Sequence, residues 1–144
     1  DNWNQLEYQF AVCAKWAPYI APGTWPDADM LPLGKISIRG ERGKERYSNF
    51  TKDEQYSLMS LWSIFKSPLM FGGNLPDNDE FTNSLLTNKE VLYVHSQSTN
   101  NRQFKRDGNR IIWTADDPQN NDKFVAVFNL EGDQFLNAEK ALYR

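Results

Sequence analysis

Two stretches of the chain carry apolar residues at steps of three and four, the pattern of a helix with one buried face. The first stripe is Trp3, Leu6, Phe10, Cys13, Ala17 and Ile20. The second stripe is Leu58, Leu61, Trp62 and Phe65. Asp1 is the expected N-cap of the first helix, and Thr51 with Glu54 fits a capping box for the second. The sequence therefore predicts two amphipathic helices, the first ended by Pro18 and the second by Pro68.

A short, continuous apolar run follows the second helix. Leu69–Phe71 lies between Pro68 and a glycine pair, which is typical of a strand buried on both faces, as in a parallel sheet. A third helical region extends from about Asp79 to His95 in two pieces, and Thr87–Glu90 fits a capping box that starts the second piece. Helices that alternate with short buried strands predict an α/β fold with a parallel sheet.

Beyond Thr99 the apolar pattern changes to a period of two, which indicates antiparallel strands. The predicted strands are Gln103–Lys105, Arg110–Thr114 and Lys123–Phe128. Asp107-Gly108 fits a hairpin turn between the first two. We therefore expect two domains, one over residues 1–98 and an all-β one over residues 99–144.

Composition and charge exclude several kinds of function. Sixteen Lys and Arg against nineteen Asp and Glu leave a net charge of −3, which argues against a surface for nucleic-acid phosphates. One Cys and one His are too few for a zinc cluster, and Cys13 on the apolar stripe is expected to be a buried, inert thiol. No apolar run approaches the roughly 20 residues that span a bilayer. Neither a nucleic acid nor a membrane is therefore an expected partner.

Asp27 and Asp29 are the acidic pair with the most suggestive spacing. Two residues apart on a strand, they would point to one face, and carboxylates at the end of a parallel strand often line an active site. The alternative is an Asx-turn around Pro26, which needs no ligand. A divalent metal is a weaker alternative, because no further carboxylate cluster supports it. The stretch from Gly34 to Asn49 is expected to be a polar loop, and its charged run Arg39–Arg46 is expected to be solvated, with an anion site as the alternative.

Four segments of the chain carry distinctive motifs. Trp25–Leu31 reads WPDADML, Met59–Ile64 reads MSLWSI, Lys66–Met70 reads KSPLM, and Leu85–Leu92 reads LLTNKEVL. Together they resemble glycoside hydrolase family 27, the α-galactosidases or melibiases, whose signatures are WNDPDML, a SLW helix, a KSPL strand and a LLTNKEVI helix. The order and approximate spacing also match, over residues 1 to about 130. Ala28 stands where the family usually has proline.

This resemblance implies the last part of a (β/α)8 TIM barrel, in the order helix, strand, helix, strand, helix, followed by antiparallel strands of a C-terminal β-sandwich. A TIM barrel needs about 250 residues, so we expect a piece of a longer protein. Family members hydrolyse terminal α-galactosides with retention, using two carboxylates about 5–5.5 Å apart. The positions that match the family's two catalytic Asp residues fall before Asp1. No catalytic residue is therefore expected in this chain, and the chain alone is expected to be inactive.

The resemblance also implies the substrate-binding residues. Asp29 and Met30 match a position that lines the family's sugar pocket, and Trp25 and Asp27 lie beside it. We expect Asp29 at the C-terminal end of a short strand next to the strand Leu69–Gly72, facing the mouth of the barrel. The expected partner is a carbohydrate with a terminal α-galactoside, without a cofactor or a metal. Unpaired barrel edges are expected to promote self-association.

Other functions stay open at this point. A non-catalytic carbohydrate-binding module or a degenerate glycosidase-like domain is the main alternative, although most such modules are all-β and this chain alternates helices with strands. An unrelated α/β interaction domain is a third possibility. Members of the family also act on arabinopyranosides and α-glucans, and a loop outside this chain selects galactose or N-acetylgalactosamine. The family resemblance implies a secreted, periplasmic or lysosomal location.

Overall fold

The computed structural model describes residues 1–131, which form a mixed α/β structure with antiparallel sheets. Within these residues the helices are α1 (Trp3–Trp16), α2 (Lys52–Phe65), α3 (Glu80–Leu86) and α4 (Lys89–Gln97). The strands are β1 (Lys35–Ile36), β2 (Arg46–Tyr47), β3 (Thr99–Asp107), β4 (Arg110–Asp116) and β5 (Lys123–Asn129). Part of the predicted second domain, residues 132–144, lies outside the described residues.

Helix α1 is capped by Asn2 and not by Asp1, which corrects the predicted N-cap. The Asn2 Oδ1 accepts a hydrogen bond from the Asn4 N–H at 2.9 Å. The Asp1 carboxylate instead accepts hydrogen bonds from Arg46 Nη2 at 2.8 Å and from the Asn49 N–H at 2.7 Å. Asp1 therefore ties the start of α1 to the segment that contains β2, while Asn2 satisfies the helix terminus.

Proline follows the end of both long helices, as predicted. Helix α1 passes into a 3₁₀ turn over Ala17–Tyr19, which contains Pro18. Helix α2 closes at Lys66, whose φ of +62° is left-handed, two residues before Pro68. The Lys66 ammonium donates a hydrogen bond to the Ser98 carbonyl at 2.7 Å, so the end of α2 is tied to the end of α4.

The predicted capping box of α2 is confirmed, whereas that of α4 is wrong by one residue. Thr51 Oγ1 accepts from the Glu54 N–H at 3.3 Å, and Glu54 Oε2 accepts from the Thr51 N–H at 2.7 Å. At α4 the cap is Asn88, whose Oδ1 accepts from the Glu90 N–H at 3.1 Å. Thr87 instead stands at the end of α3. Asn and Thr both cap well, so two adjacent candidates are not separated by pattern alone.

The period-two segment forms an antiparallel sheet in the order β3–β4–β5, and each strand extends beyond its predicted range. The turn from β3 to β4 lies at the predicted Asp107-Gly108 position, where Gly108 has a φ of +56°. Strands β1 and β2 form a two-residue antiparallel ladder inside the predicted polar loop over residues 34–49. This ladder corrects that prediction, because two residues are too few to produce a visible alternation.

The predicted parallel sheet is reduced, within the described residues, to one bridge between Leu31 and Phe71. The Leu31 N–H donates to the Met70 carbonyl at 2.7 Å, and the Gly72 N–H donates to the Leu31 carbonyl at 2.9 Å. Leu69 and Phe71 are half-buried and Met70 is 62% exposed, so the expected burial on both faces is wrong for this chain. The physical reason is that no other described strand pairs with either segment.

One hydrophobic core joins the helices to the three-stranded sheet. The predicted apolar side chains of α2 are all buried: Leu58, Leu61, Trp62 and Phe65. Phe10 of α1 meets Phe128 of β5 edge-on at 4.9 Å between ring centroids, and Phe65 meets Trp113 of β4 at 6.0 Å. Cys13 is fully buried in this core, as predicted. The two predicted domains thus share one core across residue 98.

Candidate functional site

An open cavity of about 830 Å³ lies among the start of α1, the segment 28–32, the β1–β2 hairpin and α2. Asp29 and Met30, both predicted to bind substrate, lie on its wall together with Gln5 and Gln9 of α1. The Gln9 Oε1 atom is buried and accepts no hydrogen bond within the part of the chain that the structure describes. The two glutamines were missed from the sequence, because nothing in the helical pattern separates them from other polar positions.

Asp29 occupies a turn and not a strand, which corrects the predicted strand for Asp27 and Asp29. Its φ is +80°, and its N–H donates to the Asp27 Oδ1 at 2.8 Å. Its own Oδ1 accepts from the Met30 N–H at 2.7 Å. Asp29 also precedes the bridged residue Leu31 instead of ending a strand. The Asx-turn is therefore the correct alternative: short acidic side chains bond to nearby backbone and tolerate positive φ.

Two buried side chains from outside the turn hold its backbone. The Trp62 Nε1–H of α2 donates to the Asp29 carbonyl at 2.7 Å, and the Ser67 Oγ accepts from the Ala28 N–H at 2.9 Å. Trp62 is 3% exposed and Ser67 is fully buried. The sequence placed Trp62 only in the core, but a buried indole N–H needs an acceptor, and that requirement pointed to a second role. Trp62 in the C-terminal half of α2 and Ser67, two residues after the helix ends, thus set the path of the turn.

Met30 depends on a glycine of the neighbouring segment. Met30 is 55% exposed at the cavity, and a Cβ added to Gly72 would lie 2.9 Å from the Met30 Sδ. The same Cβ would lie 3.1 Å from the Leu31 carbonyl oxygen. A side chain at residue 72 would therefore displace Met30 from the cavity wall.

Trp25 and Asp27 have different positions from the other two predicted residues. Trp25 is 52% exposed and follows the small turn closed by the pairing of Ala21 with Thr24. Neither Trp25 nor Asp27 lies on the wall of the cavity in the described residues. Asp27 is connected to it only through its hydrogen bond to the Asp29 N–H. The structure therefore brings Asp29 and Met30 together at the cavity and leaves Trp25 apart.

The β1–β2 hairpin gives the cavity a charged, mainly basic rim, which also contains Glu41. Arg39, Arg42 and Arg46 all line it, and Arg46 is paired with Asp1. Lys35 on the same wall is paired with Glu45 at 2.7 Å, and this hydrogen bond raises the pKa of the lysine. The wall of the cavity thus carries both the acidic turn and several cationic side chains. No group of three or more His, Cys, Asp or Glu residues within residues 1–131 is placed to hold a metal ion.

A comparison with models of known protein families identifies the family of this chain. The family model described as "Alpha galactosidase A" matches residues 1–97. The chain belongs to the α-galactosidase (melibiase) family. The predicted resemblance is therefore confirmed. The matched range ends at residue 97, while the predicted boundary between the two domains stays a prediction.

Named relatives of this α-galactosidase-family chain agree with the family model. Alpha-galactosidase 2 of Arabidopsis thaliana is 32% identical over 117 residues, which are 80% of this chain and 26% of that protein. A GH27 β-L-arabinopyranosidase from Geobacillus stearothermophilus is 51% identical in its crystal structure, with a TM-score of 0.86 over 90% of this chain and 30% of that one. A variant of the same enzyme in complex with arabinose gives 52% identity and a TM-score of 0.84, over 89% of this chain and 30% of that one. The chain therefore spans less than a third of the length of these relatives.

In residues 1–131 no helix combines the length and the apolar character needed to cross a membrane.

Proposed function

We propose that this chain is the last part of the catalytic barrel of a retaining glycosidase, followed by the first strands of a β-sandwich. The proposal rests on one observation above all: Asp29 and Met30 lie side by side on a cavity wall and are held there by buried side chains. The parallel bridge from Leu31 to Phe71, with α2 between the two segments, supports a βαβ unit of a barrel. The family membership supports a terminal α-galactoside as the substrate.

Asp29 is the residue that we propose to bind the sugar by hydrogen bonding. Its Oδ1 is occupied by the Met30 N–H, whereas its Oδ2 accepts no hydrogen bond within residues 1–131. An ionised carboxylate with one oxygen fixed and one available is a directed acceptor for a sugar hydroxyl. Met30 would supply an adjacent apolar surface for the pyranose ring.

Catalysis requires groups that we propose lie outside this chain. Retaining hydrolysis needs a nucleophile and an acid/base on opposite sides of the scissile bond, about 5–5.5 Å apart. Asp27 and Asp29 share one turn and are linked through the Asp29 N–H, so they cannot flank a bond from two sides. We therefore propose that both catalytic carboxylates precede Asp1 and that the 144-residue chain is inactive by itself.

Self-association of the isolated chain is part of the same proposal. The segments around Leu31 and Phe71 pair with each other and with no further strand in the described residues. Unpaired backbone at such edges recruits other chains. Sedimentation of the purified 144-residue chain should therefore show dimers or larger species, and a strictly monomeric chain would contradict this part of the proposal.

A β-L-arabinopyranoside is the second candidate substrate, and the 51% identity to the arabinopyranosidase favours it. The α-galactopyranoside and β-L-arabinopyranoside rings share the same hydroxyl configuration and differ in the substituent at C5. Asp29 would meet the same hydroxyl pattern in both. Non-catalytic carbohydrate binding is the remaining alternative, and it predicts sugar affinity without turnover.

The test uses the intact protein that contains this chain and nitrophenyl derivatives of both sugars. Asp29→Asn keeps a side chain that tolerates positive φ and an oxygen for the Met30 N–H, so it removes the charge with little local distortion. We expect kcat/KM to fall by about tenfold or more, because hydrogen bonds to sugar hydroxyls strengthen in the transition state. Asp122→Asn, the same change at an exposed position in the loop between β4 and β5, is the matched control and should have no effect. Equal activity of both variants and the wild type would exclude Asp29 from substrate binding.

A further inference from the structure

Four hydrogen bonds hold the backbone of the Asp29 turn. Its N–H is bonded to Asp27, its carbonyl to Trp62, and the N–H groups on either side to Ser67 and to the Asp29 carboxylate itself. A non-glycine residue at φ +80° lies in a sparsely populated region. Such a conformation persists only where the surroundings impose it, and it is frequent at ligand-binding positions.

The hydrogen bond that Asp27 accepts gives it a structural role, which differs from sugar binding. Its Oδ1 accepts from the Asp29 N–H at 2.8 Å, in the geometry of an Asx-turn. Its side chain is outside the cavity wall, as described above. This role needs an oxygen acceptor at the Oδ1 position and does not need the negative charge. An amide side chain would therefore serve equally well.

Trp62 connects the turn to the hydrophobic core. Trp62 is 3% exposed in this core at the edge of the cavity, and its indole N–H has one acceptor, the Asp29 carbonyl at 2.7 Å. Because the ring cannot move without disturbing the core, the donor position is fixed before any ligand binds. The hydrogen bond therefore transmits the position of α2 to the backbone of Asp29, over 33 residues of sequence.

We propose that Asp27 and Trp62 are positioning residues that act through Asp29: Asp27 lies outside the cavity wall, and Trp62, although it borders the cavity, is only 3% exposed and donates its N–H to the Asp29 carbonyl. This inference rests on the proposed function of Asp29. It names the residues that hold the Asp29 carboxylate in a fixed direction. A carboxylate that is held in place before binding stabilises the transition state more than one that must be ordered during the reaction.

The first test compares Asp27→Ala with Asp27→Asn in the intact protein. Asp27→Ala removes the acceptor of the Asp29 N–H, and we expect kcat/KM to fall about fivefold to tenfold, the equivalent of one net hydrogen bond. Asp27→Asn keeps an oxygen at Oδ1 and should stay within about threefold of the wild type. If Asp27→Asn loses as much activity as Asp27→Ala, the charge of Asp27 acts directly and the positioning role is wrong.

A double variant separates this inference from the proposed function. If Asp27 acts only through Asp29, then adding Asp27→Ala to Asp29→Asn should cause little further loss, because the two changes remove one shared interaction. A fully additive loss would contradict the inference and leave the sugar-binding role of Asp29 intact. A silent Asp29→Asn variant would instead refute the proposed function, and the positioning role would fall with it.

The second test is Trp62→Phe, with Trp113→Phe as its matched control. Both indoles are buried, but the Trp113 Nε1 has no hydrogen-bond partner within residues 1–131. Both variants remove a similar part of a core ring and should lower the melting temperature. Only Trp62→Phe should lower kcat, by about fivefold, with a smaller change in the dissociation constant of the free monosaccharide. Measurements are made well below both melting temperatures, so that all the protein is folded.

Two outcomes of this second test would overturn the role of Trp62. One is a Trp62→Phe enzyme that melts earlier but keeps the wild-type kcat, since a purely structural residue behaves in that way. The other is an equal loss of kcat in Trp113→Phe. If Trp62→Phe does not fold, the Asp27 comparison and the double variant still decide whether the turn is positioned as inferred.

Discussion

Among the described glycines, Gly73 has the least room for a side chain. An added Cβ at Gly73 would lie 2.2 Å from the carbonyl oxygen of Leu33 and 2.7 Å from the Phe71 Cζ. Leu33 is fully buried, so its backbone has no room to retreat. Gly73→Ala therefore drives the segment around Leu33 away from the segment around Phe71, and the bridge between Leu31 and Phe71 lies between them.

The size of the effect follows from these distances. Non-bonded carbon contacts are most favourable at about 3.5–4.0 Å, so the two segments must separate by roughly 1 Å. Overpacking a core costs typically about 1–3 kcal/mol. The obstacle at Gly73 is backbone and an aromatic ring, not the end of a flexible side chain, so we expect a loss of about 3 kcal/mol. The urea dependence is about 1–3 kcal/mol per molar for small proteins and rises with size, so in the intact protein this loss lowers the unfolding midpoint by about 1 M or less.

The assay is urea unfolding of the intact protein, followed by tryptophan fluorescence. Gly43→Ala is the control for backbone strain, because Gly43 has a φ of +91° and nothing within 4 Å of an added Cβ. It should cost about 1 kcal/mol through its conformation alone. Gly72→Ala should lie between these two, since its closest obstacle is the movable Met30 side chain. A Gly73→Ala variant no less stable than Gly43→Ala would refute the packing argument.

Three smaller predictions follow from the caps and from the thiol. Thr51→Ala should cost about 1 kcal/mol in the same unfolding assay, and Thr87→Ala clearly less, because only Thr51 caps a helix N-terminus. The Thr82 N–H bonded to Asp79 holds the pKa of that carboxyl below its ordinary 3.8, so the cap stabilises above pH 3.8 and its contribution is lost as the pH falls through the folded-state pKa. Asp79→Asn should accordingly weaken the acid dependence of the melting temperature below about pH 4, and an unchanged profile would contradict the assignment. Burial raises the pKa of Cys13 to about 12, so the native protein should not react with Ellman's reagent at pH 8, whereas the protein in urea should react fully.

Much of the fold could be predicted because burial imposes a period on the sequence. The apolar stripes located α1 and α2, and the Asp107-Gly108 turn located the β3–β4 hairpin. Two helix starts were misassigned by one residue, since Asp1 and Thr87 adjoin the asparagines that cap α1 and α4. The β1–β2 ladder was missed because two residues carry no alternation.

The candidate site was predicted only in part, because its geometry depends on individual hydrogen bonds and not on a period in the sequence. The motif predicted Asp29 and Met30 as sugar-binding residues; the structure places both on the wall of one cavity, and their role in sugar binding stays a prediction. It could not show that Asp27 bonds to the Asp29 backbone, because an alternating acidic pair is compatible with a strand and with a turn. The burial of Trp62 implied that its N–H has an acceptor, but the acceptor could not be identified, since it lies 33 residues away and no local pattern encodes such a partner.

The core shared by the helices and the sheet is expected to link the evolution of the segments before and after residue 97. Phe10 and Phe65 lie before residue 97, where the family match ends, and their edge-on partners Phe128 and Trp113 lie after it. Such pairs contribute about 0.5–1.5 kcal/mol beyond the area that they bury. A sheet transplanted from a distant relative onto α1 and α2 would lose both contacts unless its own rings matched in size and angle. Substitutions on the two sides of residue 97 are therefore expected to have been accepted in pairs during divergence, and chimeras joined at this point should need compensating changes at these four positions.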